Sequence, residues 1–267
     1  MSLEQKETQF IYPAVRSPTD KRDWIFKDIN TNVPPIIDYR NQLTPVRNQG
    51  EYGSCFAMSS CCMKEYQERQ DYNFQNYLSP KFFYAQRYNI HDDDAQNDEG
   101  MYTRDVMKIL QYIGVCTEKS CPYINVDKKQ DWTSLLDEAK QHVISHYARV
   151  DNLTSLLHAI SENGVCLITL PVYNTSLIEF WKKNSEHDTL IGGHAVAIVG
   201  YNLTKHHFIL RNSWGSSWGD KGYCYWKFSD WGSHWEIWTT IDDDTKIERL
   251  DDNNERVINK NICCNIF

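Results

Sequence analysis

Hydrophobic residues recur at helical spacing in the first half of the chain. The clearest repeat follows the i, i+3, i+4, i+7 spacing of an amphipathic helix and consists of Val106, Ile109, Leu110 and Ile113. Residues 55–70 contain no helix breaker, and they are apolar at first and charged towards their end. This pattern predicts another helix, which begins in the core and emerges into water.

The second half of the chain changes to strand-like patterns. It opens with one more helical repeat at residues 153–160, which ends near Gly164. Apolar runs bounded by turn residues then predict strands at residues 165–170, 195–201, 208–211 and 223–228. These halves predict an α+β fold with two subdomains, and the cleft between two such units is the default place for a functional site.

The two ends of the chain differ from its middle. Residues 1–35 are polar and end in a Val-Pro-Pro break, so we expect an N-terminal arm or a short pro-segment there. The acidic run at residues 91–99 predicts a solvated loop. The expected domain occupies residues 36–267, with a helical half at about 36–140, a β-rich half at about 141–240 and a charged tail at 241–267.

Composition excludes several classes of protein. The 267 residues include 9 Trp, 16 Tyr and 10 Phe, so the chain can build a packed core and is not disordered throughout. Its net charge of −8 argues against nucleic acid or an anionic membrane as the main partner. No run approaches the ~18 apolar residues that a membrane span needs. We therefore expect no nucleic-acid or membrane partner, and a monomer.

Nine cysteines allow two interpretations, because an odd number leaves at least one thiol unpaired. The chain could be secreted, with four disulfides and one reactive thiol, or its cysteines could be reduced and mostly buried. The first fifteen residues lack the apolar core of a secretory signal, which favours the second interpretation. We expect a cytoplasmic or other reducing compartment, or a virion if a virus encodes the chain. Paired CxxC motifs are absent, so we expect no metal site.

Three separated segments carry candidate chemistry. The run PVRNQGEYGSCF delivers Cys55 to the first turn of a predicted helix, where free N–H groups and the helix dipole favour a thiolate. His194 stands at the mouth of an apolar strand in GGHAVAIVGY, and Asn212 begins NSWGSSWG. Taken singly, each residue also has a structural interpretation: a buried cysteine, a core histidine and a turn former.

Together, these segments resemble the papain-like cysteine peptidases, whose active-site loop, histidine strand and N-S-W-G-x-x-W-G run occur in this order. In that family the histidine and asparagine follow the cysteine by ~130–150 residues. Here His194 follows Cys55 by 139 residues, and Asn212 follows His194 by 18. The resemblance covers roughly residues 36–240. It implies a papain-like fold with a helical left subdomain, a β-barrel-like right subdomain and the active-site cleft between them, and it implies no cofactor.

The resemblance also implies a role for each motif residue. Cys55 is expected to be the nucleophile, and His194 its base and then the acid that protonates the leaving amine. Asn212 is expected to orient His194, with Trp214 shielding that hydrogen bond from water. The Gln49 side chain and the Cys55 backbone N–H are expected to bind the oxyanion.

The expected substrate contacts are Gly100, Met101, Gly193 and Trp214. Gly100 and Met101 fall where relatives carry a Gly-Gly strand that pairs with the substrate backbone, although Glu99 replaces the first glycine here. The resemblance therefore fixes the expected chemistry more firmly than the expected substrate subsite.

Two further departures concern the cysteine loop. Tyr52 replaces a cysteine that forms a disulfide in secreted relatives, and Phe56 replaces the usual tryptophan. The low number of expected disulfides is more like bacterial, archaeal or large-DNA-virus members of the family than like lysosomal ones.

The resemblance thus predicts a cysteine endopeptidase that acts on peptides or proteins through a thioester acyl-enzyme. Two alternatives stay open: an acyl transferase of the same fold, and a catalytically silent relative that binds peptides. For residues 1–35 we consider two hypotheses. The arm could lie across the cleft and restrain activity, or it could dock on the outside through Trp24 and Phe26 and stabilise the fold.

Overall fold

The computed structural model describes residues 12–27, 32–89, 101–126, 131–175, 177–242 and 257–258. The helices of these residues are, in chain order, α1 (Cys55–Tyr72), α2 (Pro80–Ala85), α3 (Thr103–Tyr112), α4 (Leu136–Ala139) and α5 (Leu153–Asn163). The strands are β1 (Ala14–Val15), β2 (Ile25–Phe26), β3 (Ile36–Asp38), β4 (Met101–Tyr102), β5 (His146–Arg149), β6 (Cys166–Val172), β7 (Gly192–Asn202), β8 (His207–Arg211), β9 (Tyr223–Lys227), β10 (Glu236–Ile241) and β11 (Val257–Ile258). The predicted α+β class is confirmed.

The central helix α1 begins at Cys55 and is buried as far as Glu68. Its charged residues are therefore deeper than the sequence pattern suggested. Lys64 offsets the cost of that burial by pairing with Glu68 at 3.0 Å and with Asp242 at 2.6 Å. The helix ends at Asn73, which has the left-handed φ of 55° typical of a helix C-terminus and donates its N–H to carbonyls of the last turn.

Most of the strands form one sheet, in the order β11-β2-β5-β10-β6-β7-β8-β9, with β3 also paired to β7. The four strands predicted from apolar runs are confirmed as β6, β7, β8 and β9. Sequence patterns missed β5 and β10, which pair with each other. The strand path of the described residues does not close, so the right half is an open sheet rather than the barrel-like unit expected.

Alternate residues of β6 and β7 face two different cores, because successive side chains of a strand point to opposite faces. Leu167 and Ala195 face the core formed with α1, α2 and α3. Ile168 and Val196 face the core formed with α5. β3 pairs closely with β7 at Gly200, where a Cβ would lie 2.2 Å from the carbonyl oxygen of Ile37. The sheet thus contributes one face to each of the two hydrophobic cores.

The N-terminal arm is paired and buried more extensively than its polar sequence predicted. β1 pairs with β4 in parallel, and β2 pairs in parallel with both β5 and β11. Ala14 is 3% exposed and Phe26 is 1% exposed. The division of the chain into an arm and a domain at residue 35 stays a prediction, and residues 1–11 and the predicted loop at 91–99 lie outside the described residues.

Two findings bear on the compartment and on membranes. No helix in the described ranges is long and apolar enough to cross a bilayer. None of the seven cysteines within those ranges forms a disulfide, and all seven are buried.

The burial of Phe26 makes the arm a stabilising part of the fold. Phe26→Ala should lower the free energy of unfolding by about 3 kcal/mol, because a buried aromatic side chain is lost and leaves a cavity. Chemical denaturation monitored by circular dichroism measures this change. Val15→Ala, at a position that is 37% exposed, serves as the control and should have little effect. Equal stabilities of Phe26→Ala and the unaltered chain would contradict the assigned burial.

Candidate active site

The histidine of the site is held by the asparagine predicted to orient it. His194 lies near the start of β7, and Asn212 directly follows β8, its antiparallel neighbour. The His194 Nε2 and Asn212 Oδ1 atoms are 2.8 Å apart, and both residues are buried. Asn212 Oδ1 also accepts the backbone N–H of Ser213 at 2.7 Å, which fixes this oxygen as an acceptor. His194 Nε2 is therefore the donor, and its Nδ1 atom carries the lone pair.

An aromatic shell encloses the His194 ring. Trp214 stacks on it, with ring centroids 4.5 Å apart and an interplanar angle of 24°. Phe180 and Tyr12 approach it edge-on, with centroids at 5.4 Å and 6.3 Å. Burial in this shell lowers the pKa of His194 to about 4, although the hydrogen bond to Asn212 acts in the opposite direction. The imidazole is thus neutral at pH 7, and its buried Nδ1 has no hydrogen-bond partner among the described residues.

The packing of α1 against β7 places the start of the helix that carries Cys55 beside the start of the strand that carries His194. Ser59, one helical turn after Cys55, donates its hydroxyl to the carbonyl of Ala195 at 3.1 Å. Ala195 directly follows His194, so the first turn of α1 lies beside the start of β7. Cys55 itself is fully buried at the helix N-terminus, where the helix supplies no acceptor for the first backbone N–H groups.

Gln49 is bound to Ser213, in the segment that follows β8 and contains Asn212. Its backbone N–H donates to the Ser213 carbonyl at 2.8 Å, and its Oε1 accepts the Ser213 hydroxyl at 2.6 Å. At its other end, Nε2 donates to the Tyr52 carbonyl at 2.8 Å. The neighbouring residues continue this pairing, through an antiparallel bridge between Asn48 and Trp214. Gln49 is fully buried, so its amide is held at both ends.

Sequence reasoning missed two side chains that support the loop before Cys55. Tyr123 donates its hydroxyl to the Gln49 carbonyl at 2.9 Å, and it also hydrogen-bonds the Ser54 hydroxyl. Arg47 pairs with Glu65 of α1 at 2.8 Å. No spacing in the sequence connects Tyr123 with a loop about 70 positions earlier, so only the fold could identify it.

Residues 12–15 of the arm cross the cleft between two of the expected substrate contacts. The N–H of Gly193 donates to the Tyr12 carbonyl at 3.1 Å, and that of Met101 donates to the Pro13 carbonyl at 3.2 Å. A Cβ on Gly193 would lie 2.2 Å from the carbonyl oxygen of Ala14, so this close approach requires glycine. The backbones of Met101 and Gly193 are thus available for pairing, and here they pair with the arm.

Of the other expected contacts, Trp214 lies against both His194 and the arm, with its ring centroid 6.0 Å from that of Tyr12. Gly100 lies outside the described residues. No group of three His, Cys, Asp or Glu side chains in the described ranges could hold a metal ion. The chemistry available from the described residues is therefore that of a thiol, a neutral imidazole and amide donors.

Comparisons with known proteins agree with this chemistry. The sequence profile of the papain family cysteine proteases matches residues 33–236. Mouse cathepsin K is 32% identical over 206 residues, an alignment that covers 72% of this chain and 59% of that protein. A peptidase C1-like protein of Acanthamoeba polyphaga mimivirus is 25% identical over 244 residues, covering 78% of each chain. The chain thus spans 59% of the length of its cathepsin K relative.

The fold of this chain is similar to that of several solved structures. Xylellain, a cysteine protease from Xylella fastidiosa, superposes with a TM-score of 0.77 over 90% of this chain and 99% of that chain, at 24% sequence identity. A digestive procathepsin L 3 from Tenebrio molitor superposes with a TM-score of 0.66 over 83% of this chain and 74% of that chain, at 18% identity.

The geometry predicts one tautomer for His194. At pH 7 its Nε2 should carry the proton and its Nδ1 should be unprotonated, because Asn212 Oδ1 can only accept and burial disfavours the charged ring. Nitrogen-15 NMR of the imidazole measures both states directly. In Asn212→Ala the Nε2 proton should exchange faster with water. A neutral ring with its proton on Nδ1 would show that the assigned hydrogen bond is wrong, whereas an imidazolium at pH 7 would contradict the lowered pKa of His194.

Proposed function

Because the chain belongs to the papain family of cysteine proteases, we propose that it is a cysteine endopeptidase that cleaves peptides or proteins through a thioester acyl-enzyme. The observation that carries the proposal is the chain of hydrogen bonds from His194 through Asn212 and Ser213 to Gln49. It links a general base to an amide donor beside Cys55. Such a set supports nucleophilic acyl chemistry, and the fold alone would not.

Acylation begins when His194 Nδ1 takes the proton of the Cys55 thiol and Sγ attacks the carbonyl carbon of the substrate. The carbonyl oxygen becomes an oxyanion, which is bound by the Cys55 backbone N–H and by the second N–H of the Gln49 amide. The C–N bond then breaks, and His194 gives the proton to the leaving amine. Asn212 keeps the imidazole in place throughout.

Deacylation repeats these roles with water. His194 removes a proton from the attacking water, the new oxyanion occupies the same site, and the thioester C–S bond breaks. The proton returns to the Cys55 sulfur as the carboxylic acid product leaves. An added amine would compete with water at this step, so product analysis with and without amine distinguishes hydrolysis from acyl transfer.

The test of the nucleophile is Cys55→Ser. This variant should lose at least about 10³-fold in kcat towards a fluorogenic peptide amide, because a hydroxyl is far less acidic than a thiol and forms little of the reactive anion. Its thermal unfolding should match that of the unaltered chain. The variant should also resist a peptide vinyl sulfone that labels the parent, as intact mass would show. Activity within tenfold of the parent, or labelling elsewhere, would refute the assignment.

We also infer that the arm restrains this activity. The Tyr12 ring lies against the His194 ring, the Tyr12 carbonyl accepts the Gly193 N–H, and the carbonyl of neighbouring Pro13 accepts the Met101 N–H. The arm therefore competes with a substrate for the cleft. It also excludes water from the imidazole, which disfavours the thiolate–imidazolium pair because the charged ring is poorly solvated. The uncharged side chains of Tyr12, Asn212, Trp214 and Phe180 contact the ring, so in the proposed mechanism Cys55 is the group that can give it a charge partner.

Tyr12→Ala tests this restraint without removing the buried Phe26. Hydration of the ring should raise the pKa of His194 from about 4 towards its ordinary value of 6.5, as NMR titration would measure. KM for a small peptide should fall more than kcat changes, because a competitor has been weakened. Val15→Ala, in the same segment of the arm but 37% exposed, is the matched control. If KM and the pKa in Tyr12→Ala equal those of the parent, the arm is scaffold only.

A further inference from the structure

Ser213 joins the two parts of the site through all three of its polar groups. Its N–H donates to Asn212 Oδ1 at 2.7 Å, and its carbonyl accepts the Gln49 N–H at 2.8 Å. Its hydroxyl donates to Gln49 Oε1 at 2.6 Å. The residue is 5% exposed, so water hardly competes for these bonds. One buried serine thus contacts both the residue that orients the base and the oxyanion donor.

The Tyr52 carbonyl, which can only accept, decides which way the Gln49 amide points, and the Ser213 hydroxyl holds the other end of the amide. An amide side chain has an acceptor end and a donor end, and rotating it by half a turn exchanges them. With Oε1 on the Ser213 hydroxyl, Nε2 meets the carbonyl of Tyr52, where a donor is needed. The opposite orientation would set two carbonyl oxygens against each other at Tyr52. Both contacts therefore hold the amide in one orientation, and the second N–H of Nε2 has a fixed direction.

We propose that the Ser213 hydroxyl is a positioning group that preorganises the Gln49 amide for oxyanion binding. The proposal rests on the proposed peptidase function and names a residue of the same site that acts only through Gln49. Preorganisation matters because a donor that is already aimed at the developing charge needs no reorganisation during the reaction. The backbone groups of Ser213 are retained in Ser213→Ala, so that variant removes the hydroxyl bond and leaves the Asn212 contact in place.

Kinetics of Ser213→Ala in the full-length chain test the proposal. The kcat for a peptide amide should fall about tenfold, a fraction of the ~10²-fold loss expected when the donor itself is removed in Gln49→Ala, and KM should stay within about twofold. Alkylation of Cys55 by iodoacetamide should keep its rate, because displacement at a saturated carbon forms no oxyanion. Equal losses in both reactions would show a general disturbance of the nucleophile and overturn the proposal.

Ser79→Ala is the matched control for the loss of a buried serine hydroxyl. Ser79 is fully buried, and its hydroxyl donates at 2.6 Å to the Cys121 carbonyl and caps α2. This variant should lower the melting temperature, as the loss of a helix cap does, while kcat stays within about twofold of the parent. A tenfold loss of kcat in Ser79→Ala as well would assign the Ser213 effect to loosened packing.

A double-mutant cycle tests whether Ser213 acts through Gln49. In the Gln49→Ala background, Ser213→Ala should cause no further loss of kcat, whereas independent roles would give additive losses. Additive losses would overturn the proposal.

A measurement without turnover separates this proposal from the proposed function. The side-chain amide signal of Gln49, assigned by its disappearance in Gln49→Ala, should exchange its protons with water about tenfold faster in Ser213→Ala, because a buried hydrogen bond that holds the amide is lost. Unchanged exchange would refute the positioning role even if the chain hydrolyses no peptide. Faster exchange in a chain without peptidase activity would support the positioning role while refuting the proposed function.

Discussion

The site depends on a short backbone pairing between two segments that come from different halves of the fold. Gln49 donates its N–H to Ser213, Asn48 bridges to Trp214, and Gly215 donates to the Arg47 carbonyl at 3.1 Å. The first segment leads into α1, and the second follows directly from the central sheet. Because backbone hydrogen bonds have a fixed register, this pairing sets the distance between the cysteine loop and the strand that holds the histidine. The rest of the cleft can change shape only around this fixed pairing.

Burial around this backbone pairing strengthens the hydrogen bonds of the site but disfavours charge on its titratable group. Water-free surroundings strengthen the hydrogen bonds of Gln49, Ser213 and Asn212, since no solvent competes for their partners. The same surroundings destabilise a charged imidazole, which is why the pKa of His194 falls. A site of this kind therefore orders its amides permanently but must admit water or a charge partner before its base can carry a proton. The aromatic shell sets how much hydration is possible.

Sequence reasoning predicted the larger elements, because each has its own local pattern. The amphipathic α3 follows from apolar spacing, the helix at Cys55 from a run without helix breakers, and the strand of His194 from an apolar run. The motifs and their order grouped Cys55, His194 and Asn212 as one predicted site. The misses share a physical cause. β10 gains its stability from β5 and β6 rather than from its own pattern, and Tyr123 and Phe180 reach the site only through tertiary packing. For the arm, the sequence left two hypotheses open, because the aromatic residues of a polar segment do not show which surface will bury Phe26.

The contacts that hold the arm differ in strength along its length, so one end can detach more easily than the other. Near the cleft it is held by backbone hydrogen bonds to Met101 and Gly193 and by the ring contacts of Tyr12, whereas farther along Asp23 forms an ion pair with Arg104 at 2.6 Å before the chain reaches buried Phe26. Local opening follows the weakest contacts, so the segment would peel back from Tyr12, release β1 from β4 and stop near the ion pair, without melting the larger sheet. The hinge then lies between the cleft and Asp23. The detached segment stays tethered to the chain, so dilution cannot remove it. The fraction of open molecules is therefore independent of protein concentration.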